Sequence, residues 1–224
     1  MIKHHPDANI LAEYAAGVLN IGQSLGVAAH LHYCEECRRH VQALNNLGGA
    51  LLERNTQPAT LEHNAFLSVM TKIDQQPSIE AKPAIAEQTV PSRVQKSLPP
   101  AVAKVVGNPA QLRWQRLSPS MKSADLITGQ KQCQVSLIKI SAGGQVLEHD
   151  HKGNEFTVVL KGAFSDKQGI YKAGDFLHKQ PGEVHTPSAT ANEDCLCLAV
   201  LDAPLHFTGW IGRLVNPFVR LNPQ

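Results

Sequence analysis

Apolar residues recur at helical spacing in the first third of the chain and at alternate positions in its second half. His5-Pro6-Asp7 marks a helix start, with proline at an early helical position and an acid in the first turn. Ile10, Leu11, Tyr14, Ala15 and Val18 then follow at i, i+3, i+4 intervals. Gly22 and Gly26 interrupt, and Val27 to Tyr33 forms a short apolar piece. Val41, Leu44, Leu47, Leu51 and Leu52 make one stripe of a longer helix. A fourth segment begins near Thr60 and carries Leu61, Phe66, Val69, Met70 and Ile73. No single apolar face is wide enough to hold a helix by itself, so the four are expected to pack on one another.

From about Leu112 the period shifts to two. Gln134–Ile140 alternates, Glu155–Phe164 is a β-rich run ending in a turn, and Ile170–Asp175 and Cys195–Val200 read as further strands. Short strands with Gly, Pro and Asp turn signals between them argue a sandwich or barrel. Between the halves, Pro77, Pro83, Pro91, Pro99, Pro100 and Pro109 account for six of the fourteen prolines. Proline removes backbone donors and blocks helix interiors, so this stretch reads as an extended linker. The expected architecture is a multidomain α + β protein: a small all-α bundle over residues 1–75, a Pro/Ala-rich linker over 76–109, and an all-β domain over 110–224.

Composition narrows the chemistry. With 224 residues, 42% hydrophobic and 18% charged, both halves can bury a core. The net charge of +2 and the absence of clustered Lys and Arg argue against direct nucleic-acid binding. The start, MIKHHPDANILAEYAAG, is polar at once, and no apolar run approaches the roughly 18–20 residues of a membrane span. A cytoplasmic protein without membrane contact is expected. Five cysteines occur without a signal core, which argues for metal or redox chemistry over disulfides.

The first cluster is His30-x3-Cys34-x2-Cys37. On a helix His30 and Cys34 share a face, and Cys37 lies one turn on. Zinc in a closed site takes four N and S ligands in a tetrahedron, so a fourth donor is needed. His4 and His5, just ahead of the first helix, are the two donors within reach. His32, His40 and His63 are expected to lie elsewhere. The cluster resembles the zinc-containing anti-sigma domain family over roughly residues 1–75, whose signature is this motif preceded by a histidine. The resemblance assigns the ligands as His5, His30, Cys34 and Cys37. It also implies a helical domain that wraps a group IV (extracytoplasmic-function) sigma factor and masks its RNA polymerase surface.

The second cluster is Gly143-x5-His149-x-His151-x3-Glu155-x6-Gly162, with His185 further on. His149 and His151 are two apart and share one face of a strand. Three imidazoles and a carboxylate facing inward suit a divalent cation: Zn2+ first, with Mn, Fe or Ni admissible. The spacing resembles the first cupin motif without a gap, which implies a cupin (double-stranded β-helix) barrel. The second cupin motif is matched imperfectly. Gly174, Gly182 and His185 fall in register, Pro181 sits one residue late, and no asparagine follows His185. His178 and His206 carry no motif support.

Both clusters in this order resemble the ChrR-type anti-sigma factors, over nearly the whole chain. That resemblance implies a regulator, not an enzyme: the zinc domain holds a sigma-E-like factor, and the cupin domain receives a singlet-oxygen-type oxidative signal that frees it. RNA polymerase is affected only indirectly. Cys195 and Cys197, two apart on a strand, face one way and are candidate redox residues if that way is inward; packing of the barrel core explains them equally well. Oxidation of Cys34 and Cys37 is a rival trigger. The alternative function is a metal-dependent cupin enzyme of the dioxygenase type with a helical appendage, for which the same three histidines and Glu155 would serve.

Overall fold

The structure is a computed structural model that describes residues 2–54, 62–76, 98–208, 216 and 223. Among these residues, helices α1 (Ala8–Ala15), α2 (Ile21–Tyr33), α3 (Glu35–Arg54), α4 (Ala65–Gln75) and α5 (Pro100–Val106) precede eleven strands. Asp7 caps α1 by accepting from the Ile10 amide. Asn20 and Gln23 form a reciprocal capping box at the start of α2. Cys34, in extended conformation, ends α2, and α3 begins at the next residue. None of the described helices is long and apolar enough to cross a membrane.

The strands are β1 (Gln115–Ser118), β2 (Met121–Asp125), β3 (Gln134–Ile140), β4 (His149–His151), β5 (Glu155–Lys161), β6 (Ala163–Asp166), β7 (Gly169–Lys172), β8 (Phe176–Lys179), β9 (Ser188–Ala189), β10 (Cys195–Leu201) and β11 (Leu205–Phe207). They form an antiparallel six-stranded sheet in the order β1-β2-β3-β10-β5-β8, a three-stranded sheet β7-β6-β9 and a pair β11-β4. This is the expected all-β cupin domain following an all-α region. Gly162, at φ +73°, turns the long β-rich run into two strands, β5 and β6.

The central strands are buried on both faces. Val159, Leu177, Cys195 and Cys197 point into the barrel, while Phe156, Val158, Leu160, Leu198 and Val200 point outward and join Val27, Ala29 and Leu25 of α2 in one apolar cluster. The helical region thus does more than form its own bundle: α2 lies against the outside of β5 and β10. A strand with both faces covered reads as a continuous apolar run, as in Cys195-Leu196-Cys197-Leu198-Ala199-Val200.

Three expectations change. Gly22 and Gly26 do not interrupt the helix; α2 runs through both. A Cβ at Gly22 would collide with Cys133 Sγ and come within 2.7 Å of Val135 Cγ2, so the missing side chain is what lets α2 approach the sheet. The linker is not extended at its end. Leu98, Val102 and Val106 are buried, and α5 packs on α2; residues 77–97 of that expected linker lie outside the described residues. Finally, α4 does not pack into a bundle among the described residues. None of its residues is buried, and Phe66 (73% exposed), Leu67, Val69, Met70 and Ile73 lie open, as do Leu47, Leu51 and Leu52 of α3. Thr60 and Leu61 lie outside the described residues.

Candidate metal centres

His5, His30, Cys34 and Cys37 come together at the joint between α2 and α3, each offering one ligand atom within 4.8 Å of the others. His30 Nε2 is 3.3 Å from Cys37 Sγ, and His5 Nδ1 is 3.4 Å from both Cys34 Sγ and Cys37 Sγ. A tetrahedral zinc ion with ordinary Zn–N and Zn–S bonds separates N from S by about 3.6 Å, so the cage already has close to the required size. The tautomer fits as well. His30 Nδ1 lies 2.7 Å from Gly174 O, a carbonyl that can only accept, so Nδ1 carries the hydrogen and Nε2 presents its lone pair to the thiols. The Cys37 amide donates to Cys34 Sγ at 3.4 Å. Of the two donors left open by the sequence, His5 joins the group, whereas His4 stacks on Tyr171 with ring centroids 4.5 Å apart.

Burial pushes His30 down to about 4, and burial with the neighbouring Cys34 pushes the Cys37 thiol up to about 12. Without a cation His30 is therefore a neutral imidazole and Cys37 a thiol. Binding must expel thiol protons, as thiolate sites do. His5 and Cys34 also border an open cleft between the helices and the barrel.

The second group lies inside the barrel. His149 and His185 face each other across a backbone bridge, each amide donating to the other's carbonyl. His149 Nε2 and His185 Nε2 are 2.9 Å apart, and His151 Nε2 is 3.2 Å from His185 Nε2. His149 Nδ1 donates to Leu147 O at 2.7 Å, and His185 Nδ1 faces the Asp166 carboxylate at 3.5 Å. His149 Nε2 then presents its lone pair toward His185 Nε2, at a point where a cation could be shared between the two rings. Glu155 Oε2, also buried, is 3.2 Å from His151 Nδ1 and 3.8 Å from His185 Nε2, yet makes no well-formed hydrogen bond. Converging ring nitrogens and an orphaned carboxylate oxygen are what a cation site looks like when described by its protein atoms alone.

Burial lowers His185 to about 4 and lowers His151. Burial alone would raise Glu155, but the three imidazoles, His151 foremost, hold it below its ordinary value. Cys195 and Cys197 face the barrel interior, buried, with sulfurs 3.6 Å apart. The hydrogen bond to Cys195 and burial push the Cys197 thiol well above its ordinary value.

The remaining histidines lie apart from both groups. His178 binds Asn154, His206 pairs with Asp150, His32 packs on Tyr33, and His40 and His63 are exposed. The buried polar residues around the barrel group, Asp166, Tyr171 and Lys179, carried no motif and were not expected. A polar residue at an inward strand position is their only signal, and it requires the strand register.

The ChrR Cupin-like domain family matches residues 102–203. Anti-sigma-E factor ChrR of Cereibacter sphaeroides is 38% identical over 221 residues, covering 98% of this chain and 99% of its own. The chain belongs to the ChrR family of anti-sigma factors. The crystal structure of Rhodobacter sphaeroides SigE in complex with the anti-sigma ChrR is similar in fold, with a TM-score of 0.74 at 35% identity, covering 90% of this chain and all of that one. The relatives thus place the cupin barrel in a regulator, and the alternative of a cupin enzyme is set aside: the ChrR barrel belongs to an anti-sigma factor, not to an enzyme of the dioxygenase type.

Proposed function

We propose that this protein sequesters an extracytoplasmic-function (sigma-E-like) sigma factor in the cytoplasm through its helical region. In this reading zinc on His5, His30, Cys34 and Cys37 fixes the shape of that region. The sigma factor is released when a singlet-oxygen-type oxidant acts on the barrel. The observation that carries the reading is the uncovered apolar face of α4, together with the exposed Leu47, Leu51 and Leu52 of α3. Isolated helices of this length are marginal in water, and an apolar face left bare among the described residues suits a protein partner. Residues 1–80 hold five Lys and Arg against eight Asp and Glu, which favours a basic protein surface over a phosphate backbone. RNA polymerase would be reached only through the sigma factor.

The labour divides near the expected boundaries, residues 1–75 for sigma binding and 110–224 for sensing, with α5 belonging to the seam between them. The mixed thiol and imidazole donors suit zinc, which would supply a rigid tetrahedral cross-link without redox chemistry of its own. The barrel donors suit Zn2+ best and admit Mn, Fe or Ni, and the protein positions them through the His149–His185 bridge, the Leu147 carbonyl and Asp166. Cys195 and Cys197 are the oxidisable sulfurs of this interior, and Cys197 feels the charge of Glu155.

The test is capture of a purified sigma-E-like factor by the full chain and by Phe66→Asp and Ile73→Asp. Capture should weaken about a hundredfold or more, as for central interface anchors, with no change in thermal midpoint. Undiminished capture by both variants would overturn the assignment of this face.

A further inference from the structure

Strands β6 to β8 touch both ligand groups. At the β7–β8 turn the buried Asp175 carboxylate accepts from three backbone amides, Lys3 (2.8 Å) and His4 (3.1 Å) on one oxygen and Lys172 (2.8 Å) on the other. Phe176 N donates to His4 O at 3.0 Å. The arm that carries His5 is thereby strapped to the barrel. The neighbouring Gly174 carbonyl takes the His30 hydrogen bond, so one turn of the barrel positions two of the four N-terminal ligands. Gly174 has φ +94°, and a Cβ there would meet Ile2 and Tyr33 at 2.8 Å, so the close approach needs glycine.

The other end of the same segment reaches the barrel group. Asp166 Oδ2 lies 3.5 Å from His185 Nδ1, the two buried atoms facing each other without a well-formed hydrogen bond, and 3.9 Å from Lys179 Nζ. Asp166 Oδ1 accepts from the Tyr171 hydroxyl at 3.2 Å and from the Gln168 amide at 2.8 Å. The Tyr171 ring sits between Phe164, at 5.0 Å, and His4, at 4.5 Å. His4 is the residue before His5. An unbroken chain of contacts therefore runs from His185 through Asp166, Tyr171 and His4 to His5.

We propose that Asp166 and Tyr171 are positioning residues that couple the two ligand groups, so that the placement of His185 in the barrel sets how tightly the N-terminal group holds its cation. The proposal rests on the metal reading above. An imidazole engaged through Nε2 would donate more strongly through Nδ1, which would close the 3.5 Å gap to Asp166 and draw it away from Lys179. The Tyr171 hydroxyl follows Asp166. Packed rings transmit such a shift because the interior has no slack to absorb it. The coupling is reciprocal by linkage, and its existence is a matter of measured coupling energy, not of proximity.

The measurement is Co2+ competition against Zn2+ on the full chain, read by the thiolate-to-cobalt charge-transfer band that the Cys34 and Cys37 group gives. It is made in the native background and in His149→Ala, which dismantles the barrel group at its contact with His185 and leaves Asp166, Tyr171 and His4 unsubstituted. The N-terminal affinity is expected to differ about fivefold or more between the two backgrounds. Adding Tyr171→Phe should shrink that ratio toward one, while Tyr171→Phe alone still carries two metals by elemental analysis. Phenylalanine keeps the ring packing on His4 and Phe164, so a merely structural role for Tyr171 would leave the ratio unmoved. If Tyr171→Phe does not accumulate as folded protein, Asp166→Asn is expected to shrink the ratio in the same way. A chain with two metals and a ratio near one in the native background, or a ratio that the substitution leaves intact, overturns the coupling alone. A native chain that holds no metal at all overturns the metal reading and the coupling with it.

Discussion

The two ligand groups are held by opposite kinds of architecture. The barrel group is fixed by strand register: His149 and His151 lie on one strand, His185 sits across a backbone bridge, and Glu155 begins the next strand. The N-terminal group is fixed by tertiary contact. Its His5 rides on an arm outside any helix or strand, held by Asp175 and Phe176, and its His30 is oriented by Gly174. A sheet can present its ligands without the helices, but the helices need the barrel to complete their cage. The difference predicts that damage is unequal: the barrel group should outlast the N-terminal one.

The largest test of that asymmetry is Cys34→Ser. Structural zinc sites contribute on the order of 10 kcal/mol of apparent binding to folding, so the variant should lose one zinc equivalent, lose helical content in circular dichroism and fail to hold a sigma factor. The barrel cation should remain, as measured by elemental analysis. Loss of both metals would show that the barrel depends on the helices after all.

A smaller effect is expected at the seam. Gly22→Val drives two methyls into Cys133 and Val135, and overpacking of this kind typically costs about 1–3 kcal/mol. The denaturant midpoint should fall accordingly, with the N-terminal zinc weakened and the barrel metal unchanged. If stability holds, α2 can shift off the sheet without penalty, and the shared core is less tightly specified than its burial indicates.

The third test uses acid. Because Cys37 is pushed up to about 12 without a cation, protons compete for this thiol well above neutrality. The N-terminal affinity should fall about tenfold per pH unit per proton taken up. In the barrel, His185 stands at about 4 and Glu155 is lowered, so protons compete for these two donors only at far lower pH, and the affinity should fall less steeply from pH 7 to 6 than that of the N-terminal group. For stability of the metal-free chain the sign follows from His30 and His185, both at about 4 when folded. The unfolded chain takes up their protons near 6.5, so stability is complete above that pH and is lost as the pH falls toward 4. Equal slopes for the two groups in metal titrations at several pH values would contradict the assignment.

Much of this was legible beforehand, and the misses share a cause. The helical and alternating periods gave the order of helices and strands, and the two ligand spacings picked out eight residues that the fold brings together in two groups of four. Gly22 and Gly26 were misread as breaks because glycine is a poor helix former in isolation, whereas here it is the close contact with the sheet that selects it. The end of the proline-rich stretch was misread as extended because Val102 and Val106 are buried only against a helix far away in sequence. The exposed face of α4 looked like bundle core because periodicity reports an apolar face and not what covers it.

The sequence by itself determined which side chains can bind a cation and on which local elements they stand, since i, i+4 and i, i+2 spacings are geometry that a helix or strand enforces regardless of surroundings. Only the tertiary structure decided that His5 and not His4 completes the N-terminal cage, that the two regions share one apolar cluster, and that Asp166, Tyr171 and Asp175 stand between the two groups. Those outcomes depend on contacts such as those of Lys3 and His4 with Asp175 and of His30 with Gly174, between residues more than a hundred positions apart. Local spacing carries no information about such contacts, which come from the burial of α2 against β5 and β10 and from the bonds that Asp175 and Phe176 make to the N-terminal arm.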